Sequence, residues 1–157
     1  MQLTDNVSLV EGVGEKTAAK LKHLNINTVR DLIYDLPKGF MEMKDPIEPD
    51  DELVGKAVAI RANVLADTIY SVKKGKAITF CKIRTSKRNV CEIVYFNAPY
   101  VKKNLQNTDE AVFYGVLSKK DKIYRLTQPK IYSVSEYSTL INVLLPIYGL
   151  TKGISNN

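Results

Sequence analysis

The chain of 157 residues contains no tryptophan, one histidine (His23) and two cysteines (Cys81 and Cys91). So few imidazole and thiol groups predict no zinc site and no other metal centre. No stretch approaches the ~20 consecutive apolar residues of a membrane span, and residues 1–6 lack the pattern of a secretory signal. We therefore expect a cytoplasmic protein with no membrane partner.

The two cysteines lie symmetrically about Ser86 in the sequence. A hairpin turning at Ser86 would place Cys81 and Cys91 opposite each other. Because thiols stay reduced in the cytosol, we expect two buried free cysteines and no disulfide.

The sequence also lacks the residues of the common catalytic and nucleotide-binding motifs. A phosphate-binding loop for ATP needs the pattern G-x-x-x-x-G-K-[ST], and the spacing of Gly12, Gly14 and Lys16 does not match it. With one histidine and no serine in a nucleophile-elbow context, no catalytic centre is predicted. We expect this chain to hold no cofactor and not to be an enzyme on its own.

Positive charge is concentrated in the middle of the chain. Residues 70–130 contain 14 basic and 4 acidic residues, a net charge of +10, whereas residues 1–69 have a net charge of −4. Such a basic region favours a polyanionic partner, and nucleic-acid phosphates are the most common one. The predicted phosphate-binding residues fall in four connectors and can converge on one rim: Lys73, Lys74, Lys76, Lys87, Arg88, Lys102, Lys103, Lys119, Lys120 and Lys122. The alternative is a scattered, solvated surface.

The first fifty residues have helical periodicity. Residues 15–24 and 29–36 predict two short helices, the second capped by Thr28 and ended by Pro37. The second helix carries an apolar stripe with helical spacing, formed by Val29, Leu32, Ile33 and Leu36. Residues 38–52 contain prolines and acids and predict an irregular connector.

From residue 56 the pattern changes to the period of two that is typical of strands. The predicted strands are residues 58–64, 76–85, 89–96, 110–117 and 122–127, with a short helix starting at Pro99. A sandwich also fits the periodicity, but a helix between the third and fourth of five strands favours an OB-fold. The fold prediction is a mostly β chain: a five-stranded OB-fold Greek-key barrel preceded by a helix-hairpin-helix-like pair. The predicted domains are residues 1–52 (helical element and connector), 53–135 (barrel) and 136–157 (linker).

Two further motifs are candidates for DNA contact. Gly12 and Gly14 precede a helix that carries Lys16, an arrangement that allows backbone amides to approach a phosphate; a plain tight turn is the alternative. Phe96 and Tyr100 flank a proline next to the basic region and are candidates for stacking on bases. The alternative places Phe96 in the barrel core and Tyr100 in a helix contact.

Three segments together resemble the N-terminal part of the RecG family of bacterial ATP-dependent DNA helicases. They are LVEGVGEKTAAKLKHLNINTVRDLIYDLPKGF, IVYFNAPYVKK and LLPIYGLTKGIS, which extend from Leu9 to Ser155. One departure is Tyr95, where the family often has tryptophan.

The resemblance implies that this chain is the OB-fold wedge domain, which sits at a DNA branch point, and assigns base stacking to Phe96 and Tyr100. It implies branched DNA as the partner, at replication forks and Holliday junctions, in replication restart, recombination and repair. The parent protein would be a helicase that uses ATP and Mg²⁺ in motor domains absent from this chain, and it would be associated with the bacterial nucleoid.

Two alternatives to a branched-DNA wedge stay open. One is a general OB module for single-stranded DNA or RNA, without preference for forks. The other is a protein-interaction module, which an exposed apolar patch around Ile131, Tyr132 and residues 140–145 would support.

Overall fold

The computed structural model describes residues 1–74 and 76–149, without the side chains of Lys73, Lys74, Lys76 and Pro99. The helices are α1 (Glu15–Lys22), α2 (Val29–Ile33), α3 (Pro99–Gln106) and α4 (Val134–Leu140). The strands are β1 (Gly39–Glu42), β2 (Ala57–Lys74), β3 (Lys76–Thr85), β4 (Val90–Phe96), β5 (Glu110–Lys120), β6 (Ile123–Thr127), β7 (Lys130–Tyr132) and β8 (Leu144–Ile147). Short 3-10 turns span Val7–Leu9 and Asp51–Leu53.

The chain divides into two compact units, one formed by residues 1–42 with the segment from Leu144, the other by residues 43–143. Residues 43–52 and 136–143 therefore group with the barrel strands. The predicted domain limits at residues 52 and 135 stay a prediction.

The helical element of the first unit is confirmed, and its small core is formed by Val7, Leu21 and Ile26. At the start of α2, Thr28 and Asp31 form a capping box: the Thr28 hydroxyl accepts from the Asp31 amide (3.2 Å), and the Asp31 carboxylate accepts from the Thr28 amide (2.9 Å). These two bonds satisfy amides that the first turn of a helix otherwise leaves without partners.

The predicted apolar stripe on α2 is wrong at two positions. The helix ends at Ile33, and Ile33 and Leu36 are 61% and 78% exposed. Pro37 disfavours helical geometry at Leu36, so the helix stops before the stripe is complete. The connector after it is also more regular than predicted, since β1 pairs antiparallel with β8, with Gly39 opposite Ile147.

The second unit is a closed five-stranded barrel with the strand order β2-β3-β4-β6-β5, and β2 pairs again with β5. The strands β4 and β6 are parallel, and α3 lies between β4 and β5 in sequence. This is the OB-fold topology, so the predicted fold is confirmed. The short strand β7 adds to the edge of β5 and was not predicted.

Closure depends on the length of β2, which reaches 18 residues. Residues 57–63 of β2 pair with β5, and residues 62–65 and 70–74 pair with β3, so the strand has a partner on both sides at Ala62 and Asn63. The register shifts within the β2–β3 pairing, where residues 66–69 of β2 bulge opposite Cys81 of β3. Extra residues on one strand bend it, which lets a single strand serve both sides of the barrel. The predicted strand 58–64 is only the part before this bend.

Residues that alternate along the barrel strands face inward and form the core, and α3 adds Val101 and Leu105 to it. Cys81 and Cys91 are buried in this core as free thiols, and burial raises the pKa of each to about 11. They are not directly opposite each other, because the register pairs Cys81 with Ile93 and Cys91 with Ile83. The hairpin is centred on residue 87, one position beyond the predicted centre.

Candidate nucleic-acid interface

The junction between β4 and α3 presents two aromatic rings to solvent. Phe96 ends β4 and is 40% exposed, and Tyr100 lies in the first turn of α3 and is 68% exposed. Between them the Asn97 amide donates to the Ala77 carbonyl (2.8 Å), and Ala98 is buried. The junction is therefore fastened to β3 while both rings remain accessible.

The alternative prediction placed Phe96 in the barrel core. The structure places the neighbouring Tyr95 there instead. It is buried, and its hydroxyl donates to the Pro129 carbonyl (2.7 Å). Burial raises the pKa of this phenol far above its usual value, so it stays protonated and keeps donating. Because side chains alternate along a strand, an inward Tyr95 directs Phe96 outward.

Sequence reasoning missed a second aromatic group, on the hairpin of β2 and β3. Tyr70 is 50% exposed and stacks on Phe80, with ring centroids 4.9 Å apart and an interplanar angle of 15°. The alternation along β3 could have revealed the outward position of Phe80. Cys81 and Ile83 face the core, so the residues between and beside them face outward: Phe80, Lys82 and Arg84.

The predicted phosphate-binding cations lie at two ends of the barrel and do not converge on one rim. The β2–β3 turn and the β3–β4 turn lie at opposite ends of β3, whose ten residues span about 30 Å. Because β6 is parallel to β4, with Tyr124 beside Cys91, the β5–β6 turn lies at the same end as the β3–β4 turn. The helix α3 starts at the other end of β4.

At the end near the β2–β3 turn, the predicted Lys73, Lys74 and Lys76 have side chains outside the described part of the structure. On α3, Lys103 is exposed and Lys102 is half-buried beside the core residue Val101.

At the opposite end, the acidic connector holds the β3–β4 turn that carries Lys87 and Arg88. The Glu48 carboxylate accepts from the Thr85 hydroxyl (2.6 Å), the Asn89 side-chain amide (2.9 Å), the Ser86 hydroxyl (3.3 Å) and the Lys87 backbone amide (3.4 Å). Burial raises the pKa of Glu48, but the hydrogen bonds outweigh it and hold that pKa below its usual value. Lys87 and Arg88 point their charges into solvent from a fixed turn.

Lys119 is partly neutralised within the chain. Its ammonium forms an ion pair with Asp51 and lies 4.9 Å from the ring centroid of Tyr124, whose hydroxyl donates to Asp51 (2.8 Å). The hydrogen bond from Lys119 lowers the pKa of Asp51, and the same bond raises the pKa of Lys119. The adjacent Lys120 and Lys122 are exposed and have no ion pair with a described residue. They are better placed than Lys119 to meet a phosphate.

The glycine hairpin has the backbone geometry expected of a tight turn before a helix. Gly12 has a φ of +84°, which favours glycine, and Gly14 is the N-cap of α1. Gly12, Gly14 and Lys16 are all exposed. The Gly14 carbonyl accepts from the Thr17 and Ala18 amides (2.9 Å each). The amides at the very start of a helix have no carbonyl partner within the helix, so those of Glu15 and Lys16 need a partner from outside it. Phosphate contact at this hairpin stays a prediction.

The apolar patch that would favour a protein-interaction module is only partly exposed. Ile131 packs against the barrel core, and Tyr132 contacts Tyr137 edge-on. Val143 and Leu144 are exposed. Among the described helices, none has the length and apolar character to cross a membrane.

The closed five-stranded barrel defines the class of this protein: a small OB-fold domain. Within that class the chain belongs to the RecG wedge domain family, whose model matches residues 6–157. The resemblance recognised in the three sequence segments is thereby confirmed.

Individual relatives agree with the family. The chain is 23% identical over 153 residues to the ATP-dependent DNA helicase RecG of Treponema pallidum and 26% identical over 160 residues to that of Thermotoga maritima. These alignments cover 98% and 99% of this chain but 22% and 20% of the relatives, so the chain spans about a fifth of their length. A solved structure of RecG bound to a three-way DNA junction is similar in fold, with a TM-score of 0.81 and a sequence identity of 22%. The match covers 99% of this chain and 21% of that chain.

Proposed function

We propose that this chain is the DNA-binding wedge of a RecG-like ATP-dependent DNA helicase and that it binds branched DNA, such as replication forks and Holliday junctions. The observation that carries the proposal is the pair of exposed rings, Phe96 and Tyr100, at one backbone-fastened junction. A base that has lost its neighbour can stack on such a ring, which stabilises binding by about 1–3 kcal/mol per base. Branch points are where duplex stacking ends.

Phosphate contacts would come from cations around these rings. Those on α3, Lys102 and Lys103, follow Tyr100 by one turn or less. Lys87, Arg88 and Lys120 are exposed at the other end of the barrel. Two separated basic ends suit a ligand with more than one duplex arm, because each arm can meet a different group of cations.

The larger assembly is inferred from the relatives, which are named ATP-dependent DNA helicases. We expect ATP and Mg²⁺ to act in motor domains of the parent protein and no ATP hydrolysis by the 157 residues alone. Roles in replication restart, recombination and repair, in the cytoplasm at the bacterial nucleoid, follow from the same inference.

The test is the affinity of the chain for a labelled three-way fork, a matched duplex and a matched single strand. The wild-type chain should prefer the fork, and the double variant Phe96→Ala/Tyr100→Ala should lose that preference while keeping its duplex affinity. Tyr34→Ala is a matched control, because Tyr34 is an exposed tyrosine of the first unit. Equal binding to all three ligands, unchanged in the double variant, would overturn the proposal.

A general single-strand-binding module is the second candidate, and the exposed Tyr70 stacked on Phe80 favours it. The same titration separates the two, because a general module binds the single strand as tightly as the fork.

A further inference from the structure

We propose that Tyr95 is a positioning residue: its hydroxyl, bonded to the Pro129 carbonyl, holds the backbone that orients the Phe96 ring for stacking on a base. This role rests on the proposed function, because it assigns a buried side chain to the same aromatic site. Tyr95 lies in the barrel core and is buried, so it does not reach DNA itself. It acts through the backbone that it shares with Phe96.

The end of β4 is fastened on both sides of Phe96. Before the ring, the Val94 carbonyl accepts from the Gln128 amide (2.8 Å), and after it the Asn97 amide donates to the Ala77 carbonyl (2.8 Å). The Phe96 side chain itself is 40% exposed and has no ring contact with another described aromatic residue. Its orientation therefore depends on the backbone that carries it.

The third fastening is the buried hydrogen bond of Tyr95. Its hydroxyl donates to the Pro129 carbonyl (2.7 Å), and both residues are buried. Removing this donor would leave a buried acceptor unsatisfied, so the local backbone would have to move to find another partner. Burial raises the pKa of Tyr95 most, and the nearby Cys81 and Tyr100 raise it further. The phenol of Tyr95 thus lies close to the second exposed ring as well.

The acceptor is held in place from its other side. A Cβ atom on Gly115 of β5 would lie 3.3 Å from both Cα and Cβ of Pro129, closer than ordinary van der Waals contact. The next residue, Lys130, begins β7 and pairs with Tyr114 of β5. A side chain at position 115 would therefore push Pro129 while leaving Tyr95 intact. Donor and acceptor of the same bond can be perturbed separately.

The experiment compares the affinity of the 157-residue chain for a three-way fork with its affinity for a matched duplex. Two surfaces that part by about 0.5–1 Å lose about a quarter to a half of their contact attraction. For one base stacked on Phe96, this loss corresponds to about 2- to 5-fold in affinity. We expect Tyr95→Phe to lower the fork-to-duplex affinity ratio by that factor and to leave the duplex affinity unchanged.

Gly115→Ala should lower the same ratio. Because both substitutions act on one hydrogen bond, Tyr95→Phe/Gly115→Ala should lose no more than Tyr95→Phe alone, whereas independent effects would multiply. The control is Ile83→Val, which removes one methylene from the buried core toward the other end of β3. It lowers stability through packing and should leave the ratio unchanged.

A second readout needs no DNA. With 4-fluorophenylalanine at position 96, the fluorine NMR signal should be single and narrow in the otherwise wild-type chain and in Ile83→Val. It should broaden or split in Tyr95→Phe. An unchanged affinity ratio or an unchanged fluorine signal in Tyr95→Phe would overturn the positioning role, even if Phe96→Ala/Tyr100→Ala abolishes fork preference. If the wild-type chain prefers no fork, the proposed function fails, and the fluorine signal still decides whether the hydroxyl orders the ring.

Discussion

Replacing Glu48 with alanine removes the acceptor that holds the β3–β4 turn. Two of its four hydrogen bonds are short, from the Thr85 hydroxyl (2.6 Å) and the Asn89 side-chain amide (2.9 Å), and the other two are longer. A hydrogen bond to a charged acceptor contributes about 1.5–3 kcal/mol when buried. Because this site is partly open to solvent, we assign about 1 kcal/mol to each short bond, and expect Glu48→Ala to lower the free energy of unfolding by about 2 kcal/mol.

For a domain of this size, such a loss corresponds to a melting temperature lower by about 4–8 °C, measured by circular dichroism or calorimetry at pH 7. The control is Glu52→Ala, which removes the same charge from the same connector without removing a described side-chain hydrogen bond. Surface substitutions of that kind change stability by about 0.5 kcal/mol or less. Equal melting temperatures for the two variants would refute the assignment of Glu48 as the turn's anchor.

The same carboxylate makes a prediction for pH. Its folded-state pKa lies below its ordinary value of 4.5, so its stabilisation is present above pH 4.5 and is lost as pH falls through the lower, folded-state value. The difference in unfolding free energy between wild type and Glu48→Gln should therefore shrink as the pH falls below 4.5. A difference that stays constant down to pH 3 would contradict this origin.

Three other predictions test the remaining parts of the account. Tyr95→Phe should lower the free energy of unfolding, measured in urea, by about 1–2 kcal/mol, because the buried Pro129 carbonyl loses its donor. Tyr100→Phe should leave it unchanged, because Tyr100 is exposed, and equal effects of the two variants would contradict this difference in burial. Gly12→Ala should destabilise the helical element by about 1 kcal/mol, because its φ of +84° strains any side chain, whereas Gly14→Ser fits a φ of −77° and should be neutral or better. A neutral Gly12→Ala would show that the turn relaxes. Fork affinity should fall by about 0.7–0.9 log units per log unit of salt for each phosphate contacted, and a flat titration would exclude phosphate neutralisation.

The sequence predicted the barrel well because local periodicity carries much of the OB pattern. Alternation around residues 58–64 and 110–117 marks half-buried strands, and Pro99 marks the start of the helix between the third and fourth strands. The short pair of β1 and β8 was not predictable in this way. Its strands have four residues each and lie about a hundred residues apart, so no local signal connects them.

The aromatic residues likewise divide into those that a local sequence pattern indicates and those that depend on distant pairing. Phe96 and Tyr100 were predicted as stacking residues from a local motif together with the family resemblance, and the exposure of Phe96 follows from the alternation that buries Tyr95. The stacked pair of Tyr70 and Phe80 depends on a bulge that shifts the register, which periodicity alone does not reveal.

The distribution of charge could be predicted only along the sequence. Counting basic residues located the basic region, but it did not show that the length of β3 places these cations at two opposite ends of the barrel. The ion pair of Lys119 with Asp51 joins side chains 68 residues apart, so it was visible only once the chain had folded.

The central claim is that Phe96 and Tyr100 stack on bases at a branch point, and the most direct measurement is the fluorescence of 2-aminopurine placed there. Stacking on a ring alters the emission of this base analogue. We predict a change on binding of the wild-type chain that Phe96→Ala/Tyr100→Ala abolishes, and no change for the same analogue in the middle of a duplex arm. An identical change at the branch point with wild type and double variant would contradict the claim.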